Sequence, residues 1–477
     1  MKTSASPSLT YAALVVVLAL SGLDQTVLST ALPAIARELH GEDRISWVFS
    51  AYLIASTVVI PLHGKLADRW GTRPLLIAAT ALFAIGSLAC TLADTMTALI
   101  FARALQGLGG GGHMTLTMLA VASLEPPEAR GRRMGLLGAA YGLSTMLGPQ
   151  IGAAFVQALS WRWAFGLNVP IALAAGAVLW HSAMRKPTHA GHRLDLAGAA
   201  LLAGALVALL LAIRRNPGGH PIDLGYAALA ALLALAWFVV ERRAADPIVP
   251  LALFRDRGFA SAAAIGAASG IALFSAVVFL PFFLQTALHL SPSVSALHLL
   301  PMMLGITTAA SIGGRTLRAA TVSARHLAAG ASFTLAAAFA LLATVLAFAP
   351  ANRWAISGCL LPIGLGLGLL FPVVTVVSQR CAPPRHLGIA TATPIMLRAL
   401  GGALGVAALG ELLAHRVAAA LGSSAPLEAA FGAGLEAVFV CAALAGLVAA
   451  LLALRGLPRR LPAAPNAPGA TPRLGTA

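Results

Sequence analysis

Charge is what this chain has least of. Only 10% of its 477 residues are Asp, Glu, Lys or Arg, where a soluble protein of that length carries roughly a quarter. A very large soluble core does not explain the shortfall, because the apolar stretches are too long and recur with charged punctuation between them. Acidic residues are scarcest, 16 against 32 basic ones, and among the basic ones only Lys2, Lys65 and Lys186 are lysine. That bias, with the load of alanine and glycine, reflects GC-rich coding rather than function. The four cysteines, Cys90, Cys359, Cys381 and Cys441, show no CxxC spacing, and three lie in apolar runs; they read as small core residues, neither paired nor metal-binding. There is no G-x-x-x-x-G-K-[ST] loop, so ATP does not drive this chain directly. Nor is there an H-E-x-x-H, a G-x-S-x-G or a His/Cys/carboxylate cluster with metal spacing. No metal, no cofactor and no catalytic residue is implied, and the only reactive pair an intramembrane enzyme could use is Asp24 with Arg103.

What is present is hydrophobicity, 59% of the chain. Fourteen apolar runs follow one another, near 10–31, 45–63, 75–93, 97–122, 133–157, 164–184, 195–213, 222–241, 259–285, 293–313, 325–349, 354–378, 387–413 and 431–455. Most are long enough to cross a bilayer, and isolated backbone in lipid must satisfy its own hydrogen bonds, so the fold class is an all-α polytopic membrane protein. The net charge of +16 would suggest nucleic acid in a soluble protein, but here it follows sidedness. With the N-terminus inside, roughly 23 Lys and Arg fall on cytoplasmic segments, about 7 outside and about 2, Arg103 and Arg398, within helices. An even number of spans puts both termini in the cytoplasm. The N-terminus is too weakly basic, and its apolar run too long, for a cleaved signal peptide. The Pro-, Ala- and Gly-rich tail 456–477 reads as disordered.

Between runs two and three stands Gly64-Lys65-Leu66-Ala67-Asp68-Arg69-Trp70-Gly71-Thr72-Arg73. It reads as a loop of about ten residues that reverses direction at once, with glycine at Gly64 and Gly71 for the turn and Lys65, Arg69 and Arg73 fixing it in the cytoplasm. Gly313-Gly314-Arg315, after run ten, looks like a degenerate copy. If runs one to six and nine to fourteen are equivalent halves, runs seven and eight are an inserted pair. The expected division is a six-helix bundle over 1–184, an inserted pair over 185–257, a second six-helix bundle over 258–455, and a site between the bundles.

Asp24 is a carboxylate in an otherwise apolar run, where a charge costs at least a few kcal/mol and must face the bundle or a water-filled cavity. It is a candidate to exchange a proton, or else half of a structural ion pair. Arg103, in run four, needs a carboxylate in turn, and Asp24 is the obvious one. Gly107, Gly109 and Gly112 formally fit G-x-G-x-x-G, but no strand precedes them, and close helix packing is the better reading. Glu125, Arg130 and Arg133 in the next cytoplasmic turn could equally pair with Asp68 or Arg69 or stay solvated. Run five carries Gly135, Gly148, Pro149 and Gly152, a small-residue face with a helix-bending proline. In run thirteen Arg398, Gly401, Gly402 and Gly405 form a packing face; Glu411 beyond them is either a second proton or cation site or an outer-interface residue near His415 and Arg416. His113, inside run four, is expected to pack or hydrogen-bond rather than titrate.

Several of these stretches carry a family resemblance. Gly64, Leu66, Ala67, Asp68, Arg69, Gly71 and Arg73 match the loop signature of the major facilitator superfamily, with Thr72 departing where a basic residue is usual. Leu23-Asp24-Gln25-Thr26-Val27 with Ala31-Leu32-Pro33 is similar to the first-helix signature of fourteen-helix drug:proton antiporters. Arg103-Ala104-Leu105-Gln106-Gly107-Leu108-Gly109-Gly110 resembles the superfamily's fourth-helix motif, whose Arg assists proton transfer. Gly135, Gly148, Pro149 and Gly152 resemble the fifth-helix motif that marks exporters. Trp161-Arg162-Trp163-Ala164-Phe165-Gly166-Leu167-Asn168-Val169-Pro170 looks like the W-R-W-x-F-x-x-N-x-P string of EmrB/QacA-type multidrug exporters, as do Glu241-Arg242-Arg243 with Asp246-Pro247 and Leu280-Pro281-Phe282-Phe283-Leu284-Gln285. The resemblance covers roughly residues 10 to 455. It implies two six-helix bundles plus two inserted helices in a bacterial inner membrane, and a proton-coupled exporter of amphipathic toxic compounds. Asp24, Arg103 and Glu411 would then handle protons and the Gly64–Arg73 stretch would gate. The alternatives are an exporter of one self-made metabolite or a transporter-like sensor; Gly148-Pro149 argues against an importer. The partners expected are small molecules, protons and the lipid bilayer, with no nucleic acid. Nothing in the sequence bears on a periplasmic adaptor.

Overall fold

A computed structural model of the chain describes residues 6–40, 45–182, 184, 196–212, 223–244, 247, 249–319, 322–383, 386–422 and 426–459; some side chains within these stretches are also outside the description. The tail 460–477, the bulk of the segment predicted to be disordered, lies outside the described residues.

Each predicted run becomes a helix or a broken helix. Runs one to five are α1 (Pro7–Glu38), α2 (Ile45–Trp70), α3 (Thr72–Thr91), α4 (Met96–Leu124) and α5 (Pro127–Ala158). Run six splits into α6 (Trp163–Gly166) and α7 (Asn168–Trp180), and the next two runs are α8 (Leu196–Ala212) and α9 (Leu224–Arg243). Run nine is α10 (Arg257–Phe274), a π turn at Ser275–Phe279, and α11 (Leu280–Thr286), with Pro281 in the first turn of α11. Proline lacks a backbone N–H and crowds the preceding turn, and the π turn is where the helix absorbs that loss. Run ten is α12 (Pro292–His298) and α13 (Leu300–Ala319), followed by α14 (Ala324–Phe348), α15 (Arg353–Cys381), α16 (Leu387–Gly422) and α17 (Leu427–Gly456). Among the described residues, nine helices are long and apolar enough to cross a membrane.

The Gly64–Arg73 stretch departs from expectation. It is not a ten-residue loop: α2 runs on through Trp70, α3 begins at Thr72, and Gly71 alone makes the turn, at φ 89°. Lys, Leu, Ala, Asp and Arg all tolerate a helix, so the charged segment carries α2 onward instead of ending it. A side chain at Gly71 would be strained by that positive φ. Gly64 serves close approach instead: a Cβ there would meet the carbonyl oxygen of Gly388 at 2.8 Å and Cβ of Ala392 at 2.6 Å. The turn after α4 is likewise short, because α5 already begins at Pro127.

Packing repeats. In the first set of helices α1 packs on α5, α2 and α3 on α4, and α3 on α7; in the second set α10 packs on α16, α13 and α14 on α15, and α14 on α17. Both sets use glycines four apart for their tightest seam. A Cβ on Gly107 would meet the carbonyl oxygen of Tyr52 at 2.6 Å, and one on Gly111 would meet Cα of Ser56 at 2.6 Å, so α2 and α4 touch backbone to backbone. Gly364 and Gly368 do the same between α15 and α13, where their Cβ positions lie 2.8 Å from the Met302 carbonyl carbon and from Ile306 Cα. Small residues at such seams let helices gain dispersion contacts in lipid, where burial alone offers no driving force. The sets meet through α5 on α13 and α2 on α16, and the α8–α9 pair leans on α2. Leu202 and Leu206 of α8 share a core with Ile60, Ile389 and Met396 at the α2–α16 junction.

Candidate functional site

Asp24 and Arg103, named from sequence as partners, meet at the centre of the first set. Asp24 Oδ2 accepts from Arg103 Nη1 at 2.6 Å, and both side chains are buried, at 1% and 0% exposure. Removing two charges from water costs several kcal/mol each unless the remaining lone pairs and protons find partners, and here most do, Arg103 Nη2 alone of the pair's polar atoms lacking one among the described residues. Asp24 Oδ1 accepts from Gln106 Nε2 at 2.7 Å and from Asn168 Nδ2 at 3.1 Å. Gln106 also donates to Ser87 Oγ at 2.7 Å, and its Oε1 accepts from Arg103 Nη1 at 2.6 Å. Arg103 Nε donates to the Val48 carbonyl at 3.3 Å, while the guanidinium carbon lies 4.3 Å from the Tyr52 ring centre and 5.5 Å from that of Phe165. Six helices, α1, α2, α3, α4, α6 and α7, thus contribute to the network around one carboxylate.

One turn further along, His113 Nδ1 lies 2.5 Å from Ser21 Oγ and its ring sits 5.2 Å from that of Phe83; the histidine packs and hydrogen-bonds as expected.

The W-R-W string closes one end of this site. Trp161 Nε1 donates to Glu38 Oε2 at 2.7 Å, Arg162 bonds the other oxygen of Glu38, and Arg162 also reaches the Ala93 carbonyl at 3.2 Å. The hydrogen bond from Arg162 holds the Glu38 carboxyl below the usual carboxylate range. Trp163 faces outward, and Pro170 falls in the first turn of α7, where its missing N–H has no intrahelical partner to lose. Asn168, which opens α7, is the member that reaches down to Asp24.

At the opposite end the Gly64–Arg73 stretch ties the two sets together. Asp68 Oδ1 accepts from Gly388 N at 2.6 Å and Oδ2 from Ile389 N at 3.2 Å. These are unpaired amides of the first turn of α16, at the positive end of its dipole. Arg73 bonds the Trp180 carbonyl that ends α7, and Arg69 lies beside Trp70, 6.0 Å from its ring centre. Glu125 accepts instead from Tyr11 at 2.7 Å and Arg133 at 3.1 Å, and Arg130 bonds the Ala122 carbonyl at 2.7 Å. Through Tyr11, that cluster ties α1 to the α4–α5 turn.

On α5, Gly135 faces the second set, its Cβ position 2.6 Å from the Ala310 carbonyl oxygen, whereas Gly148 faces α1 at 3.0 Å from Val27 N. Gly152 is buried, and α5 continues through position 149, although the Pro149 side chain lies outside the described residues. Glu411 lies on α16, away from Asp24 in the other set, and its side chain too lies outside the described residues.

This arrangement of paired helical sets around a buried ion pair matches a known family model, that of the Major Facilitator Superfamily, over residues 14–406. The chain belongs to the major facilitator superfamily. It is 32% identical over 409 residues to the multidrug transporter protein MdtP of Bacillus subtilis (strain 168), covering 84% of this chain and 74% of that one. It is 31% identical over 397 residues to multidrug resistance protein 3 of the same organism, covering 82% and 77%. Among solved facilitator structures, the proton:xylose symporter XylE superposes with a TM-score of 0.67 at 14% identity, over 94% of this chain and 96% of that one. The human organic anion transporter MFSD10 superposes at 0.65 and 18%, over 94% and 100%; at such identity both speak for the fold alone. The protein is therefore a multi-pass membrane transporter of the facilitator fold, and not an enzyme; its homologues are named multidrug and efflux proteins.

Sequence reasoning paired Asp24 with Arg103 but did not place Gln106, Ser87, Asn168 or Tyr52 around them. The signal available was a polar residue at regular spacing on an apolar helix: Gln106 one turn from Arg103, and Asn168 where run six breaks.

Proposed function

We propose that this facilitator is a proton-coupled exporter that moves amphipathic toxic compounds out across the bacterial cytoplasmic membrane by alternating access. Both termini would lie in the cytoplasm, and the bundles 1–184 and 258–455, with the inserted pair between them, would be the rocking units. The observation that supports this best is how Arg103 is held. Besides Asp24 it has the Gln106 side chain, the Val48 carbonyl and two aromatic faces, all neutral. When Asp24 takes up a proton the guanidinium keeps these partners, so the carboxylate can cycle without stranding a buried cation. An inward proton contributes about 2.3 kcal/mol per 100 mV, plus the pH term, toward uphill extrusion. The Asp68 contact with α16 holds the cytoplasmic end shut in this arrangement. A dedicated exporter of one metabolite would use the same machinery.

The test is pH-gradient-driven accumulation of amphipathic dyes in inverted membrane vesicles, with wild type and Asp24→Asn side by side at matched abundance. Accumulation that collapses with a protonophore and with Asp24→Asn supports the reading. Normal extrusion by Asp24→Asn would show that its proton role is wrong.

A further inference from the structure

A second arginine deep within a helix, Arg398, has no such partners. Arg398 sits eleven residues into α16, about 16 Å along it and so near the middle of a bilayer core. Its guanidinium carbon lies 4.5 Å from the Phe371 ring centre on α15, and the Tyr141 phenol of α5 faces it closely enough to interact. Among the described residues it makes no hydrogen bond and no ion pair, although it is largely buried and α16 is closely packed here. Asp24 is already shared between Arg103, Gln106 and Asn168, and Glu411 lies thirteen residues along the same helix, about 20 Å away. A cation at membrane depth without an ion partner faces the bundle interior or a water-filled cavity and marks a pathway.

There is room beside it. Gly138 of α5 is buried, yet a Cβ there would meet nothing within 4 Å, and one at Gly142 would meet only Met303 Sδ, at 3.6 Å. These glycines flank Tyr141 on the α5 surface. The Tyr141 hydroxyl donates to Gln25 Oε1 at 3.3 Å, and Gln25 follows Asp24 on α1 and stands close to Tyr52. The gap is therefore walled by polar groups of the first set, a cation of the second, and the apolar faces of Phe371 and Met303.

We propose that this gap is the substrate site and that it selects amphipathic acids: Arg398 takes the carboxylate of the cargo, Tyr141 and Gln25 offer it hydrogen bonds, and Phe371 and Met303 pack on its apolar body. The planar fork of a guanidinium matches a carboxylate with two parallel bonds, and a ring stacked on it stays compatible with that use. A lipophilic cation would meet the same guanidinium as a like charge. The substrate class rests on the exporter reading, but the site itself is testable without transport.

Full-length protein in nanodiscs is titrated, with no gradient, with 7-diethylaminocoumarin-3-carboxylate and with its uncharged ethyl ester, read by fluorescence anisotropy. Wild type should bind the acid at least tenfold more tightly than the ester. Arg398→Gln should abolish that preference and leave ester affinity within about twofold. Equal affinities in wild type, or an undiminished acid preference in Arg398→Gln, overturns the proposal. Should Arg398→Gln bind neither compound, Arg398→Lys decides: a reduced preference for the acid supports the site, and none overturns it. A protein that prefers the acid but never accumulates any dye in vesicles keeps the site and loses the exporter reading; the reverse result does the opposite.

Discussion

The two helical sets share one packing plan and treat charge in opposite ways. In the first, the seam of α2 and α4 encloses Arg103, Asp24, Gln106 and Ser87, each hydrogen-bonded inside the bundle. In the second, the equivalent seam of α13 and α15 is sealed by Gly364 and Gly368, and the surrounding core is Phe, Leu, Val and Ala, with Phe339 and Phe439 stacked 5.6 Å apart. Its one mid-helix cation, Arg398, turns out of that core toward Tyr141 of the first set. The same scaffold thus holds an ion-paired polar site in one set and a cation without an ion partner in the other. On the proposed reading, proton handling and cargo recognition would use these different environments: a dry ion pair held by several side chains in one case, a cation with no ion partner in the other.

The sharpest way to break this comparison is to truncate each arginine. Arg103→Ala leaves the Asp24 carboxylate without its cation in a dry interior and should cost about 3–5 kcal/mol, read as a large drop in the unfolding midpoint in detergent together with loss of transport. Arg398→Ala should cost less than about 1 kcal/mol, as expected of a group with no ion partner to strand; equal losses would erase the distinction. Gly107→Val and Gly364→Val probe what the sets have in common. Each pushes a side chain into a facing backbone and should destabilise by about 1–3 kcal/mol, and a large disparity between them would show that the two seams are not equivalent.

Asp68→Asn should be milder, roughly 1 kcal/mol or less, because an amide oxygen can still accept from Gly388 or Ile389. Its effect should appear as slowed substrate turnover with ligand affinity unchanged. The smallest effect is at the rim. Glu38 is half-exposed and its carboxyl is held below the ordinary value of 4.5 by Arg162. That stabilisation is complete above the ordinary value and fades as pH falls through the depressed one. Discounted for solvent screening, it should be under about 1 kcal/mol. Wild type and Glu38→Gln should therefore differ slightly in thermal midpoint at neutral pH and converge in acid.

Much of the fold was legible because a bilayer enforces it: runs of about twenty apolar residues have few other fates, and the runs reappear as helices, although α1 and α2 run on seven residues past the predicted ends, α5 begins six earlier and α16 ends nine later. Asp24 and Arg103 could be paired from sequence because each is intolerable alone at that depth. Asn168 could not be assigned to them. It lies 144 positions from Asp24, and only the break between α6 and α7 turns its amide inward. The Gly64–Arg73 stretch was misread because charge and glycine together resemble a loop, whereas helix propensity and the seat offered by Gly388 keep it helical. Glu125 and Arg133 found Tyr11, a partner on another helix that spacing along the chain does not reveal.

The one-residue turn at Gly71 leaves almost no slack between α2 and α3. α2 carries the Val48 carbonyl that receives Arg103 near one end and Asp68 near the other, about 30 Å apart along a single helix. It is a pushrod. Any displacement at the ion pair has to reappear at the α16 latch unless the rod flexes, and Pro61, the proline inside it, is the joint at which it would. On the proposed reading, the stiffness of α2 around Pro61 would set how faithfully a proton taken up at Asp24 is reported to the Asp68 contact.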